Sequence, residues 1–279
     1  MPRHLLIVGG KRDHNLARLA HAAESRGFSH RLIETDHEPL PHVAWRLDRR
    51  TLTINGENFL PEETSLFIRY DVFGDQAAAQ KMAFFDMIKG WAVAFPQTKL
   101  LNRNNENLEV SKLRALVLAK EAGFTTPQTR IVTSLDASLD HHNLIIKPVS
   151  GGSYTRLLAD ATDDVVLPCF LQERLSYPEL RLFRVGKHYF AFEITSDVID
   201  YRATTNVEMR EVEMPNDLHL ALERLSDRLG LDYAATDLKF NPRANNFQFL
   251  EINSMPMFTA YDDHTEGRLS DAILLHLMA

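Results

Sequence analysis

A chain of 279 residues with 44% hydrophobic and 25% charged residues has the make-up of a folded globular protein, which excludes a disordered chain. Its formal net charge of −7 argues against a nucleic-acid-binding surface over most of the molecule, although a local basic pocket is still allowed. A single cysteine, Cys169, rules out an intrachain disulfide framework, and its apolar surroundings mark it as a buried structural thiol rather than a nucleophile. No basic segment leads a long apolar stretch into a small-residue cleavage site, and no apolar run reaches the roughly 20 residues of a membrane span. The expectation is a cytoplasmic protein without a membrane partner.

In chain order, residues 4–8 read as a buried strand entering the Gly9-Gly10 turn. Leu16, Leu19, Ala20 and Ala23 follow at helical spacing, Gly27 stops the helix, and residues 30–34 form a second strand. This β-α-β opening is typical of a doubly wound sheet, and without the full glycine fingerprint the turn is a plain strand-to-helix connection. Residues 43–47 and 51–54 predict a hairpin running up to Asn55-Gly56. The strand at 65–71 carries Arg69 and Asp71 at its C-terminal end, where they face a substrate crevice or form a surface ion pair. A long helix over 76–95 and a short strand at 98–101 follow. The polar run 102–107 then marks the first domain boundary.

Leu113, Leu116 and Val117 predict a helix ending at Gly123. Strands at 129–132 and 144–147 flank a His-rich turn, in which His141-His142 reads as a solvated loop because adjacent histidines point opposite ways. The small-residue loop 149–154 holds Gly151 and Gly152. It is not a Walker loop, yet successive backbone amides in such a loop can wrap phosphate oxygens, and Lys147 just before it snorkels out or meets an anion. Residues 171–175 form a strand ending in a hinge, and residues 179–185 turn through Gly186-Lys187 into 188–193 as a hairpin. Leu218, Leu222, Leu225 and Leu229 give a periodic helix opened by Asn216 and Asp217 and ended by Gly230. A terminal helix carries Leu269, Ile273 and Leu277.

The most informative stretch is residues 246–253. As a strand, simple alternation puts Phe247, Phe249, Glu251 and Asn253 on one face and Gln248, Leu250 and Ile252 on the other. A carboxylate among such apolar neighbours is costly to bury unless its charge is compensated. Glu251 and Asn253 are two hard oxygen donors two residues apart, and Asp237 upstream sits among apolar neighbours too. The reading is that Asp237, Glu251 and Asn253 hold Mg²⁺ at an ATP site. The competing structural readings are a Glu251–Lys239 salt bridge, strand-edge ion pairs for Glu173, Glu179 and Arg181, and a solvated loop position for Arg202. Arg69, His264 and Asp262-Asp263 are candidate pocket lining.

The ordered series Ser111-Lys112-Leu113-Arg114, Ile145-Ile146-Lys147-Pro148 with Gly151-Gly152, Gln172-Glu173-Arg174-Leu175, Glu179-Leu180-Arg181, Asp200-Tyr201-Arg202, Ala235-Thr236-Asp237-Leu238-Lys239 and Leu250-Glu251-Ile252-Asn253 resembles the ATP-grasp superfamily of carboxylate–amine ligases. The nearest likeness is to its RimK-type branch, including the peptide-modifying ligases of microviridin (graspetide) pathways. The resemblance runs from about residue 104 onward. It implies an α/β protein of ATP-grasp fold: an N-terminal doubly wound α/β domain over 1–103, a linker helix and small lid subdomain over 104–176, and a C-terminal α+β ATP/Mg-binding subdomain over 177–279. It further implies that Lys112 and Lys147 contact ATP phosphates, that Glu173 and the Leu175 backbone read the adenine edge, and that Glu179 binds the ribose. Asp237, Glu251 and Asn253 would hold Mg²⁺, usually two ions with Mn²⁺ as a substitute, while Arg181 and Arg202 face the γ-phosphate and an acyl phosphate.

The implied activity joins a small-molecule or peptide carboxylate to an amine through an acyl phosphate, releasing ADP and phosphate. The residue types agree with this, since phosphoryl transfer needs metal and cations at the developing charge more than a protein nucleophile. The same residues also suit a small-molecule kinase of this fold or a non-catalytic nucleotide-binding module. Two departures stand out: no further glycine follows Gly151-Gly152 closely, and Asn253 continues as Ser254-Met255-Pro256-Met257-Phe258 instead of the glycine and tryptophan common in microviridin ligases. The fold often forms dimers or tetramers, so a homo-oligomer is an open expectation.

Overall fold

The computed structural model describes residues 3–105, 110–136, 139–149, 155–161, 165–200, 204 and 206–279. Strand β1 (His4–Gly9) pairs in parallel with β2 (His30–Glu34) and with β6 (Thr64–Ile68), and β6 pairs in parallel with β7 (Lys99–Leu100). The resulting order β2-β1-β6-β7 is that of a doubly wound sheet, as the opening β-α-β pattern predicts. Both faces are covered, so β1 is apolar from Leu5 to Val8: Leu5 and Ile7 enter one core, Leu6 and Val8 another. The second core is closed by helix α2 (Ala78–Ala94) and by a meander of β3 (Val43–Trp45), β4 (Leu52–Ile54) and β5 (Glu57–Phe59). That meander extends the expected hairpin by one strand, through Asn55 at φ 50° and Gly56 at φ 84°. Two successive positive φ values are what a tight two-residue hairpin turn demands, and Asn-Gly is the dipeptide that adopts them at least cost.

The C-terminal half is built on a five-stranded antiparallel sheet, β14-β13-β12-β15-β16. Its strands are β12 (Ser176–Val185), β13 (His188–Ser196), β14 (Val207–Val212), β15 (Tyr233–Asn241) and β16 (Asn246–Asn253). One face, with Leu180, Leu182, Leu238, Phe249 and Ile252, packs on α3 (Lys112–Ala122) and α4 (Asn216–Leu229). The opposite face, with Phe183, Val185, Phe192 and Ala235, meets α1 (His14–Ser25), α5 (Thr259–Asp263), α6 (Arg268–Met278) and the Leu5–Ile7 side of the parallel sheet. Strand β14 was not anticipated, although Val207 and Met209 alternate with charged neighbours and pack on this core.

A separate small sheet, β10-β9-β11-β8, comprises β8 (Thr129–Val132), β9 (Leu144–Pro148), β10 (Arg156–Leu157) and β11 (Cys169–Glu173), antiparallel throughout. Ile146, Leu158, Cys169 and Leu171 form its core. Burial pushes the Cys169 thiol pKa up, as befits a structural cysteine. Among the described residues, no helix is long and apolar enough to cross a membrane.

The alternation expected for residues 246–253 is corrected by a bulge. Phe249 pairs with Leu238, but Glu251, not Leu250, pairs with Asp237. One extra residue in β16 resets the parity of the strand. Phe247, Phe249 and Ile252 therefore face the helices, while Gln248, Glu251 and Asn253 share the opposite face with Lys239 and Asp237. Without the bulge, Glu251 and Ile252 would exchange sides.

Candidate active site

The site lies on the face of the five-stranded sheet turned away from α3 and α4. Along β12 that face shows Glu179, Arg181, Phe183 and Val185, and along β15 it shows Tyr233, Ala235, Asp237 and Lys239. The apolar half of each series is packed under α5 and α6, and the polar half forms the site. Strand register then dictates the contacts: Arg181 opposite Asp237, Glu179 opposite Lys239, Glu251 opposite Asp237 and Asn253 opposite Ala235.

Arg181 Nη1 donates to both oxygens of Asp237, at 2.8 and 3.0 Å, and its guanidinium lies 5.1 Å from the Tyr261 ring centroid. Asn253 Nδ2 donates to Asp237 Oδ2 at 3.3 Å. Lys112, the first residue of α3, places its ammonium 3.2 Å from Glu251 Oε2. Two carboxylates in direct cross-strand register with an amide beside them supply hard oxygen donors, and this donor chemistry fits Mg²⁺. Among the described residues, no cluster of three or more His, Cys, Asp or Glu side chains could hold a metal, so a third side-chain donor at this site would have to be the Asn253 amide.

Lys239 pairs with Glu179, not with Glu251: Nζ lies 2.7 Å from Glu179 Oε1, donates to Ile199 O at 2.8 Å and sits 3.8 Å from the Tyr177 ring centroid. Both side chains are buried, which also removes the strand-edge reading of Glu179 and Arg181. Glu173 ends β11 at the junction of the small sheet with β12; its carboxylate accepts from Asn241 Nδ2 at 3.2 Å and from Gln128 N at 3.4 Å. Leu175, two residues on, is buried. Lys147 in β9 stands 5.5 Å from the Phe170 ring centroid, on the small sheet. The structure thus brings Lys112, Arg181, Asp237, Glu251 and Asn253 together, with Glu179 and Lys239 on the same face. Gly151, Gly152 and Arg202 lie outside the described residues.

Arg69 and Asp71 are neither surface ion-pair members nor exposed. Arg69 Nε reaches Asp13 Oδ2 at 2.5 Å, and Asp71 Oδ1 accepts from the amides of Phe73 and Gly74. Asp71 packs so tightly between Gly10 and Gly74 that a Cβ at either glycine would fall within 2.3 Å of the carboxyl group. Asp262 is fully buried and accepts from the amide and hydroxyl of Ser270, so it braces α6. Sequence reasoning missed Asp13 and Asn15. Their signal was weak: an Asp two residues before an Asn at a helix start is first of all a cap.

No protein-family model and no curated protein matches the sequence. Solved structures do. The chain is similar to the ATP-grasp ligase PsnB complexed with a minimal precursor, at 20% identity with 98% of each chain covered and a TM-score of 0.74. It is equally similar to the macrocyclase MdnC of Microcystis aeruginosa bound with the precursor peptide MdnA, at 19% identity over 99% of each chain and a TM-score of 0.74. A more distant likeness, at 13% identity and a TM-score of 0.61, covers 99% of this chain and 97% of the D-alanine–D-alanine ligase of Bacillus anthracis. Over almost its whole length, this chain has the ATP-grasp fold.

Proposed function

We propose that the protein is an ATP-dependent ligase that joins a peptide carboxylate to an amine through an acyl phosphate, releasing ADP and phosphate. The observation that carries this reading is the set Asp237, Glu251 and Asn253, in register on one sheet face of an ATP-grasp fold with Lys112 and Arg181 against it. Solved neighbours contain ADP, AMPPNP and Mg, which supports ATP with Mg²⁺ as the working pair here; two ions at the site are part of the proposal. Neighbours are also bound to precursor peptides, and that favours a peptide over a free amino acid as substrate. The division into residues 1–103, 104–176 and 177–279 fits this reading, with ATP held between the small sheet and the five-stranded one.

Mg²⁺, when bound, would supply positive charge against the negative charge that builds during phosphoryl transfer. Asp237, Glu251 and Asn253 are the residues that would hold it. Lys112 and Arg181 then act on the phosphates: each is a fixed cation beside a metal-side carboxylate, where developing negative charge needs stabilising. Lys147 on the small sheet contacts phosphate from the other side, and Gly151 and Gly152 offer backbone amides to it. Glu173 and the Leu175 backbone meet the adenine, Glu179 lies towards the ribose, and Arg202 faces the acyl phosphate. No side-chain nucleophile is needed, because the substrate carboxylate attacks the γ-phosphorus and expels ADP, and the amine then attacks the acyl carbon and expels phosphate.

The test is ADP release with a panel of carboxylate peptides and amines, with mass spectrometry of the products. Release that requires both partners and yields a product lighter by one water supports the ligase. A stable phosphorylated product without any amine requirement would make the protein a kinase of the same fold.

A further inference from the structure

Between Asn253 and Tyr261 the chain crosses from β16 to α5, and this strap touches the site at both ends. Asn253 bonds to Asp237 at one end, and Tyr261 lies against the Arg181 guanidinium at the other. Its middle is bonded mostly to side chains from the first 102 residues. Asn102 Nδ2 donates to Ser254 O at 2.7 Å. Arg69 Nη1 donates to Met255 O at 3.1 Å and Pro256 O at 2.9 Å. Asn15 Oδ1 accepts from Phe258 N at 2.7 Å and from the amide and hydroxyl of Thr259, each at 3.0 Å. Asp13 joins two of these holders, taking Arg69 Nε on one oxygen and Asn15 Nδ2 at 2.6 Å on the other. Asn15, Arg69, Asn102 and Asp13 are all buried.

We infer that Asn15, Asp13, Arg69 and Asn102 are positioning residues for the metal and phosphate site, acting through the strap. The inference rests on the functional reading above. Segment 254–258 contains a proline and makes no strand pairing, so its polar backbone groups need side-chain partners to be buried at all. Apart from Tyr233 of β15, whose hydroxyl donates to Pro256 O at 3.1 Å, these partners come from the parallel-sheet half of the molecule, so that half largely sets where Asn253 and Tyr261 stand relative to Asp237 and Arg181. Metal sites depend on the partners that orient their ligands, whose loss typically costs about 10- to 100-fold in metal affinity or activity. This gives the N-terminal sheet a role in ATP use, separate from any part it plays in choosing substrates.

The test measures ADP binding by titration calorimetry to the full chain, once in EDTA and once in excess Mg²⁺. Asn15→Ala removes the shared acceptor without burying a charge. The expected result is unchanged ADP affinity in EDTA and a loss of about 10-fold in the gain that Mg²⁺ confers. General destabilisation would lower both affinities together, so equal losses in EDTA and Mg²⁺ overturn the inference, as does an undiminished Mg²⁺ gain. If Asn15→Ala does not fold, Thr259→Val, which deletes only the hydroxyl donor, carries the same comparison with a smaller expected loss. A wild-type protein with no Mg²⁺ gain would instead remove the Asp237–Glu251–Asn253 metal assignment, and this inference with it.

Discussion

The Glu179–Lys239 pair permits a quantitative forecast. Both residues are 7% exposed, their charged atoms are 2.7 Å apart, and Lys239 has a carbonyl and a ring face as its other partners. At an effective dielectric near 20 the gross attraction at that distance is about 6 kcal/mol, and desolvation of the two ions offsets most of it. Removing one partner strands the other in a dry site, which costs about 3–5 kcal/mol. In a protein of this size that lowers the melting temperature by roughly 6–15 °C. Replacing both, as Glu179→Gln with Lys239→Met, removes both charges at once and should cost clearly less than the two single changes summed. Thermal and urea denaturation of wild type, both single variants and the double variant closes the cycle. Single variants that melt with wild type, or a double variant as damaged as the sum, would refute the pairing.

Glu251→Gln should abolish ATP turnover with little loss of stability, because its side chain is partly open to solvent, while Asp237→Asn should abolish turnover and also weaken the fold by stripping the carboxylate from buried Arg181. Activity in either variant, read as ADP release beside a melting curve, removes the metal assignment. Lys147→Ala should lower nucleotide affinity more than it lowers stability; calorimetry showing unchanged ATP binding would make this lysine structural. Burial raises the Tyr233 phenol above its ordinary value of 10.0. Its folded form resists ionisation, whereas the unfolded form ionises near pH 10, so stability is lost as pH climbs past about 10. Urea midpoints from pH 8 to 11 should fall less steeply for Tyr233→Phe than for wild type, and parallel slopes would contradict this.

Much of this architecture is written in local patterns. Apolar runs flanked by Gly9-Gly10 and Gly27 mark the opening β-α-β unit, and the leucine period of α4 with Gly230 after it marks that helix, because burial and capping act on near neighbours. That Asp237 and Glu251 call for explanation was legible for a similar reason: carboxylates inside apolar strands are costly and need a purpose, and the structure sets them opposite each other. What stayed hidden depends on pairing across long stretches of chain. Whether Lys239 meets Glu251 or Glu179 is decided by the register of β12 against β15, which no local pattern records. The bulge at Leu250 is equally silent, since the composition of β16 is that of an ordinary strand. Asn15 and Asp13 look like helix-capping residues, and their second task appears only when residue 258 is folded against them.

The β16 bulge has a consequence for how this segment can change in length. Upstream of Leu250, adding or removing two residues preserves which side chains face the helices and which face the site. A single-residue deletion at Leu250 itself also preserves it, because that residue is the extra one opposite β15. Such a deletion would restore regular pairing, with Phe249 still towards the helices and Glu251 and Asn253 still towards the site. A single-residue deletion elsewhere in β16 would instead turn side chains to the wrong face or force β16 to slide against β15. The strand is therefore tolerant of even steps upstream and of a single-residue step only at Leu250, so viable odd-length variants of this segment should be confined to the bulge.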